Sequence, residues 1–455
     1  MVMIAAAVLF AGVAAQAAPS PQIASALQEV RESAAQRYTM PVSETSRGVI
    51  IALHSRETEI LNAAVKAART DGELLEVHST AMVTGHPDVG LDAATVARQR
   101  ATAPVAWHHL GAATAALDMA LAESGPRRAE LLTQADAAIA KALPLDASGR
   151  TWLLAGRIYD AMFEWTRAKS AFDLALKVRV PADVLPQVYR GLWRSHSALG
   201  QMPDADRWFA EYEKTGAATD QDYHDRANHL GSIERFSESA AMFTRLARKP
   251  DQAIAPAYKL WYSAVWAHWK AREDRAAIEA ARATVQATPD EPEARRVAAM
   301  AVTIAASILV ERGDLKGGLE FANLAISADA SFPSSYTQIA KVHLAEKRPA
   351  EAEREARRAL QLAPPNSDAE AQIVLGQALG AQGRWAEAAA GFEAGAYIDK
   401  AHAYAAFNAA IAHENAGRAA DAIRWYEETL RRNPAIRERD RILADIARLK
   451  TPRLG

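Results

Sequence analysis

Residues 383–388 read Gly-Arg-Trp-Ala-Glu-Ala, and the ring of Phe392 follows. Residues 417–422 read Gly-Arg-Ala-Ala-Asp-Ala, and Tyr426 follows at the same distance. The two stretches are 34 residues apart. In each, a small residue and a ring four positions later share one helical face. Internal periods of this length are typical of stacked helical hairpins, so the spacing predicts an all-α chain.

The same register extends upstream. Small residues recur where two helices would cross closely, namely at Ala168, Ala205, Ser239, Ala277, Gly318, Ala352, Ala388 and Ala422. Several are followed four positions later by a ring, as at Phe172, Phe209 and Phe243. Glycines stand five residues before some of them, at Gly200, Gly313, Gly383 and Gly417. Glycine there can take the left-handed conformation that ends the first helix of a pair.

The fullest copy reads Trp152-x2-Ala155-Gly156-x2-Tyr159, then Ala168-x3-Phe172-x2-Ala175. These residues resemble the signature of the tetratricopeptide repeat (TPR) family. The resemblance implies a TPR-type α-solenoid, a right-handed superhelix of helix-turn-helix repeats. We place the solenoid at 104–435, with repeats starting near 104, 149, 186, 220, 258, 299, 333, 369 and 403. The copies near 104 and 220 are degenerate.

The two ends of the chain depart from the repeat. Residues 436–455 are expected to form a C-terminal capping helix and tail, with an apolar stripe at Ile442, Leu443, Ile446 and Leu449. Residues 19–103 are expected to form an irregular helical segment, with helices from Pro21 through Ala34, over 57–69 and over 92–100. The apolar runs 48–53 and 74–83 are ambiguous, so a small βαβ insertion is the alternative.

Residues 1–18 resemble a secretory signal peptide. Ile4–Ala15 is a short apolar run, and Ala15-Gln16-Ala17 is a small-x-small cleavage pattern. The run is too short to span a bilayer, which takes about 20 apolar residues. One feature departs from the pattern, because no Lys or Arg precedes Arg31. We therefore expect a periplasmic or secreted protein without stable membrane insertion after cleavage, and a cytoplasmic protein is the alternative.

Composition excludes several classes of site. The chain has no cysteine, which removes disulfides, thiolate zinc sites and cysteine nucleophiles. Its formal net charge is −2, and it contains no long basic run, so we expect no nucleic-acid partner.

The search for catalytic motifs predicts no catalytic residue, no cofactor and no metal site. There is no glycine loop for phosphate, and His413-Glu414 lacks the second histidine of a zinc-protease helix. Asp225 and His229 could share a helical face, but two ligands are too few for a metal site.

Four histidines occupy the eleventh position of their repeats, where the TPR family usually has tyrosine: His196, His268, His343 and His413. We expect each ring to fill the tyrosine position and to hydrogen-bond a neighbour. The alternative is a histidine ladder that senses pH or metal.

The concave groove is the better candidate for function. In TPR proteins it is lined by positions 2, 5, 9 and 12 of each first helix. The register places there Arg150, Arg157, Arg190, Arg194, His224, Asn228, Lys259, Tyr262, Trp266 and Trp269. Guanidinium groups followed by two Trp predict a clamp for an anionic, partly aromatic ligand. The alternative is that the arginines face solvent and the two Trp pack between repeats.

Together these features predict a non-catalytic scaffold or adaptor. It would bind a protein or peptide segment in its groove, in the periplasm or cell envelope. Two alternatives remain. The first is an enzyme, or a subunit of one, with its site in 19–103 or in the groove. The second is a self-associating structural element.

Overall fold

The computed structural model describes residues 18–41, 43–249 and 254–451. Within these residues all regular secondary structure is helical, in twenty-three α-helices and a 3-10 turn at Ala182–Val184. The predicted all-α fold is confirmed. The predicted signal peptide lies outside the described residues, apart from Ala18. None of the described helices combines the length and the apolar character needed to cross a membrane.

The chain divides into two compact units, with the boundary between Ala218 and Thr219. The helices of unit 1 are α1 Pro21–Thr39, α2 Glu44–Ala67, α3 Asp71–Thr84, α4 Pro87–Arg100, α5 Ala106–Ala122, α6 Gly125–Ala142, α7 Gly149–Ala161, α8 Trp165–Lys177, α9 Leu185–Ala198 and α10 Met202–Lys214.

The helices of unit 2 are α11 Asp220–Ser232, α12 Phe236–Ala247, α13 Ala257–Lys270, α14 Asp274–Gln286, α15 Pro292–Glu311, α16 Leu315–Ala328, α17 Pro333–Ala345, α18 Pro349–Leu362, α19 Ala369–Ala381, α20 Trp385–Ile398, α21 Ala403–Asn415, α22 Ala419–Arg432 and α23 Arg439–Lys450.

Within each unit the helices stack as consecutive pairs. Each helix packs mainly against its sequence neighbours, as α7 does against α8 and α13 against α14. The first helices of successive pairs also touch, as α7 touches α9 and α13 touches α15. This double contact buries the apolar face that a single hairpin would leave exposed, and it is the arrangement of a TPR-type α-solenoid.

The first helix of each pair begins close to its predicted repeat start. The observed first residues are Ala106, Gly149, Leu185, Asp220, Ala257, Pro292, Pro333, Ala369 and Ala403. Only one start differs from its prediction by more than two residues: the helix begins at Pro292, whereas the repeat was predicted to start near 299. Proline is tolerated in the first helical turn, where its missing N–H has no intrahelical acceptor, so α15 extends upstream by about two turns.

Close helix crossings in unit 1 explain two glycines of the repeat. Phe172 of α8 is fully buried. A Cβ added at Gly156 of α7 would lie 2.5 Å from the Phe172 ring, and one at Gly191 of α9 would lie 2.3 Å from it. The ring therefore fits between two first helices only because both carry glycine. In unit 2 the small residues Ala388 and Ala422 are likewise fully buried.

The N-terminal segment is helical where the sequence was ambiguous. Residues 48–53 lie in α2 and residues 74–83 lie in α3, so the alternative βαβ insertion is wrong. Two capping boxes fix these helix starts, one between Ser43 and Ser46 and one between Thr70 and Glu73. The first box explains why α2 begins thirteen residues before the predicted start at Glu57.

The last described helix, α23, buries Ile442 and Ile446 against the rest of unit 2. The predicted apolar stripe is wrong at Leu443, which is 42% exposed. Ile442 and Ile446 are one helical turn apart, whereas Leu443 points about 100° away from Ile442 around the axis.

Candidate binding cleft

Six of the ten predicted groove residues lie in unit 2, and three of them line a single cleft. Asn228 belongs to α11, while Tyr262 and Trp266 belong to α13. The cleft has a volume of about 430 Å³. Pockets that receive small molecules span about 300–1,000 Å³, so this one has room for a bulky side chain.

Small residues form one side of the cleft. Ala227, Gly231 and Ser232 of α11 face Ser239 of α12. The Ser239 hydroxyl donates a hydrogen bond of 2.8 Å to the carbonyl oxygen of Ala227. A Cβ added at Gly231 would lie only 3.3 Å from the Ser239 Oγ. The two helices approach closely because both carry small residues here, and this leaves space beside the larger side chains of α13.

Aromatic rings form the other side. Phe243 of α12 lines the cleft together with Tyr262 and Trp266. Trp266 is 38% exposed, and its indole packs edge-on against Phe236 at a centroid distance of 5.5 Å. Burial raises the pKa of Tyr262, so its phenol stays protonated at neutral pH. The cleft therefore combines apolar surface with hydroxyl and amide groups.

Polar groups surround these rings. Asn228 Nδ2 lies 3.2 Å from the Nδ1 of His224 and donates to the His224 carbonyl at 3.1 Å. Lys270 Nζ lies 5.6 Å from the Trp266 ring centroid and 5.0 Å from that of Trp269. Lys259 pairs with Glu293 of α15 at 2.8 Å. The positive charge of Lys259 is therefore compensated, while Lys270 covers the two indole rings.

The four groove arginines lie in unit 1, and three of them pair with carboxylates. Arg150 of α7 donates to Asp183 at 3.3 Å. Arg194 of α9 donates to Asp160 of α7 at 3.2 Å. Arg157 of α7 lies 3.9 Å from Asp118 of α5. Burial lowers the pKa of Arg157 and raises the pKa of Asp118. Arg190 is half-buried on α9. The structure therefore places much of this positive charge in contacts between neighbouring first helices.

The four repeat histidines pack as side chains of the helix pairs. His196, His343 and His413 are buried, and burial lowers the pKa of His196. His413 Nε2 lies 2.9 Å from Glu393, and His268 Nδ1 lies 2.6 Å from Glu273. Each of the last two rings thus contacts its own carboxylate, as expected for a ring that fills the tyrosine position.

One group of metal-type ligands escaped the sequence analysis. Among the described residues, His54, Glu57 and His86 bring their ligand atoms within 4.8 Å of one another. His54 and Glu57 are three residues apart on α2, and this spacing on one helical face was the signal in the sequence. His86 precedes α4, 29 residues after Glu57, so only the fold reveals that it belongs to the group.

Comparison with solved structures finds matches to parts of this chain. No family model matches the chain, and no curated protein matches it by sequence. A crystal structure of MamA is 15% identical over 39% of this chain and 92% of its own, with a TM-score of 0.31. YrrB, described as a TPR protein with an unusual peptide-binding site, is 20% identical over 43% of this chain and 94% of its own, also at 0.31. A second MamA structure gives 17% identity, 32% and 91% coverage, and 0.27. The TPR-type fold of this chain rests on its own paired helices and crossing glycines.

Proposed function

We propose that this chain is a non-catalytic repeat protein that binds an extended segment of a partner protein. The observation that carries the proposal is the unit 2 cleft, defined by Asn228, Tyr262 and Trp266 with the small residues of α11 and α12. An aromatic ring that stays 38% exposed beside a cleft of this size is typical of a surface that receives a partner side chain.

The lining of the cleft indicates what it accepts. Phe243, Tyr262 and Trp266 offer apolar area, and Ala227 and Gly231 allow a ligand to approach the backbone closely. These groups favour a bulky apolar or aromatic side chain. The exposed amide of Asn228 can hydrogen-bond the backbone of an extended peptide, which has free N–H and C=O groups. A small number of placed polar groups in an apolar cleft is the usual design of a recognition site.

The predicted clamp for an anionic ligand has less support than this apolar cleft. Arg157 and Arg194 contact Asp118 and Asp160, so their charge is already partly compensated. An acidic ligand would have to compete with these carboxylates. We therefore assign the partner contact to the rings of unit 2.

Selection of random linear peptides against the full chain tests the proposal. We expect the selected peptides to share an aromatic or large aliphatic residue. Trp266→Ala and Tyr262→Ala should each weaken their binding by at least about tenfold, which is about 1.4 kcal/mol. Phe163→Ala is the matched control, because Phe163 is an aromatic residue of unit 1 that is 66% exposed.

Circular dichroism of each variant would show whether its helical content is retained. Equal affinity of the wild type, Trp266→Ala and Tyr262→Ala would overturn the assignment of the cleft. A molecular mass that rises with protein concentration, and falls again in Trp266→Ala, would instead identify a second copy of the chain as the partner.

We further propose that the partner is met in the periplasm or cell envelope. The support is the apolar run Ile4–Ala15 and the cleavage pattern at Ala15-Gln16-Ala17. Mass spectrometry of the protein recovered from an envelope fraction should then find Ala18 as its first residue. An uncleaved chain in the cytoplasmic fraction would contradict this location.

A further inference from the structure

We propose that His54, Glu57 and His86 form a binding site for a divalent transition-metal ion of the zinc type. The group lies in unit 1 among α1, α2 and the start of α4. It shares no residue with the unit 2 cleft, so the proposal stands independently of the proposed function. Two imidazoles and one carboxylate are the nitrogen and oxygen donors that zinc accepts in proteins.

The carboxylate is held in place by α1. Glu57 is fully buried, and Ser33 Oγ donates to its Oε1 at 2.8 Å. Arg37 donates through Nη2 to its Oε2 at 2.9 Å. Arg37 is itself fixed, because the same Nη2 donates to the carbonyl oxygen of Thr84 at 2.6 Å. The orientation of the carboxylate therefore exists before any ion arrives, which reduces the entropic cost of binding.

Hydrogen bonds also fix the orientation of His86. This ring is 1% exposed, and its Nε2 lies 2.9 Å from Glu57 Oε2. Its Nδ1 lies 3.1 Å from Thr58 Oγ1. The Thr58 hydroxyl donates its only proton to the His54 carbonyl at 2.9 Å, so it accepts from His86 Nδ1–H. A histidine that donates through one nitrogen to a neighbouring oxygen, and so leaves the other nitrogen for the ion, has the outer contact typical of a metal ligand.

His54 supplies the third ligand and the route of entry. Its side chain is exposed, and its ring stacks on His86 with centroids 4.2 Å apart and an interplanar angle of 13°. Ligand nitrogens bind a metal in the plane of the ring, so His54 must rotate out of this stack to bind. An exposed side chain can do this without disturbing the core.

Apart from the rotation of His54, the distances require only a small rearrangement. The three ligand atoms lie within 4.8 Å of one another. A tetrahedral ion with bonds of about 2.0–2.2 Å holds its ligand atoms about 3.3 Å apart. The 2.9 Å contact between His86 Nε2 and Glu57 Oε2 would open slightly. The ion would replace the proton shared by these two atoms, and that proton would leave to solvent.

Arg37 limits the strength of the site. Its guanidinium pairs with the same carboxylate, so the ion enters a site where one positive charge is already present. The carboxylate of Asp88, on α4, has the opposite effect, because its negative charge favours a positive charge at His54. We therefore expect reversible binding rather than an ion that stays with the chain through purification.

Zinc titration of the untagged, metal-free full chain tests the site. With a chromogenic chelator as competitor, we expect one Zn²⁺ per chain. His54→Ala should weaken this binding at least tenfold, and it should fold normally because His54 is exposed. The matched control is His402→Ala, which removes another exposed histidine, in unit 2, and should leave the affinity unchanged.

Thermal unfolding and Co²⁺ absorption test whether the buried ligands also bind the ion. Zn²⁺ should raise the thermal unfolding temperature of the wild type and of His402→Ala, but not that of His54→Ala. Co²⁺ in place of Zn²⁺ should give visible absorption bands of a tetrahedral nitrogen and oxygen site, and these bands should be lost in Glu57→Gln. No Zn²⁺ bound to the wild type, or equal affinity in His54→Ala and His402→Ala, would overturn the proposal.

Discussion

The groove positions of unit 1 and unit 2 follow one register but carry different chemistry. In unit 1, Arg157 and Arg194 reach carboxylates on the preceding first helices. In unit 2, Tyr262 and Trp266 stand beside the small residues of α11 and border an open cleft. The same kind of helix position therefore connects neighbouring repeats in one unit and leaves space for a ligand in the other.

This difference follows from which side chains have a partner within the protein. A guanidinium beside a neighbouring carboxylate gains a contact on folding. The Trp266 indole is contacted by Phe236 and Lys270 but still remains 38% exposed. Exposed aromatic area of this kind gains most from a partner that covers it. The position of a residue in the repeat therefore predicts which face of the helix it occupies. The neighbouring side chains determine whether it connects repeats or stays available to a ligand.

The helix crossings should give the largest difference between the units. Gly191→Leu places a side chain whose Cβ would lie 2.3 Å from the Phe172 ring. We expect the free energy of unfolding to fall by about 3 kcal/mol or more, because overpacking a tight crossing displaces the backbone. Chemical denaturation followed by circular dichroism measures this change.

Gly231→Ala in unit 2 is the matched substitution. Its Cβ would meet only the Ser239 side chain, with Oγ at 3.3 Å and Cβ at 4.0 Å. Alanine gains up to about 1 kcal/mol of helix propensity over glycine. We expect its stability to stay within about 1 kcal/mol of the wild type. A Gly191→Leu protein as stable as Gly231→Ala would show that the unit 1 crossings are not tight.

The arginine–carboxylate contacts of unit 1 should give the next largest effect. Asp118→Leu alone leaves Arg157 half-buried without this carboxylate and should cost about 1–3 kcal/mol of stability. The double change Arg157→Met with Asp118→Leu should recover most of that loss, because apolar pairs often replace buried ion pairs without cost. Urea denaturation of the single and double variants measures both values.

Peptide binding provides the control for this second prediction. If the contact between Arg157 and Asp118 only connects repeats, the double variant should bind the peptides selected for the unit 2 cleft as the wild type does. A loss of binding comparable to that of Trp266→Ala would show that unit 1 contributes to recognition. The difference drawn here between the two units would then be wrong.

Sequence reasoning placed the helices better than the contacts between them. The first helices could be predicted because glycine, proline and small residues mark turns and crossings at a fixed period. The start of α2 could not, because the apolar run 48–53 obscured the helical pattern that begins at Ser43. Asn228, Tyr262 and Trp266 were predicted to share one face and they line one cleft, but the cleft itself depends on how closely α11 and α12 approach.

Contacts between residues far apart in the sequence could not be predicted from the repeat register. Asp160 lies 34 residues before Arg194, and nothing in a repeat position says which carboxylate a guanidinium reaches. His86 likewise joins His54 and Glu57 only because α4 returns to the side of α2. Periodicity predicts faces, whereas pairs of polar side chains depend on rotamers and helix offsets.

The smallest expected effect compares two glutamates whose pKa values are lowered to about 2, one in each unit. In unit 1, the backbone N–H of Arg69 lowers the pKa of Glu73, followed by the hydroxyl and backbone N–H of Ser20 and the backbone N–H of Thr70. In unit 2, Arg431 and then Arg432 lower the pKa of Glu428. Both carboxylates favour folding above the unfolded pKa of about 4.5, and this contribution is lost as pH falls from there toward 2.

The stability effects of the two glutamates should differ in their dependence on salt. Glu73→Gln and Glu428→Gln should each lower the thermal unfolding temperature slightly at pH 6, and the difference from the wild type should shrink as pH falls toward 2. At pH 6 and 1 M salt, the Glu428→Gln effect should also shrink, because the charge of its exposed partner Arg431 is screened over about 3 Å. The Glu73→Gln effect should persist, since hydrogen bonds from fixed backbone N–H groups at a helix start do not depend on mobile charges. Equal salt sensitivity of the two variants would mean that Glu73 acts through the charge of the Arg69 side chain rather than through the capping box of α3.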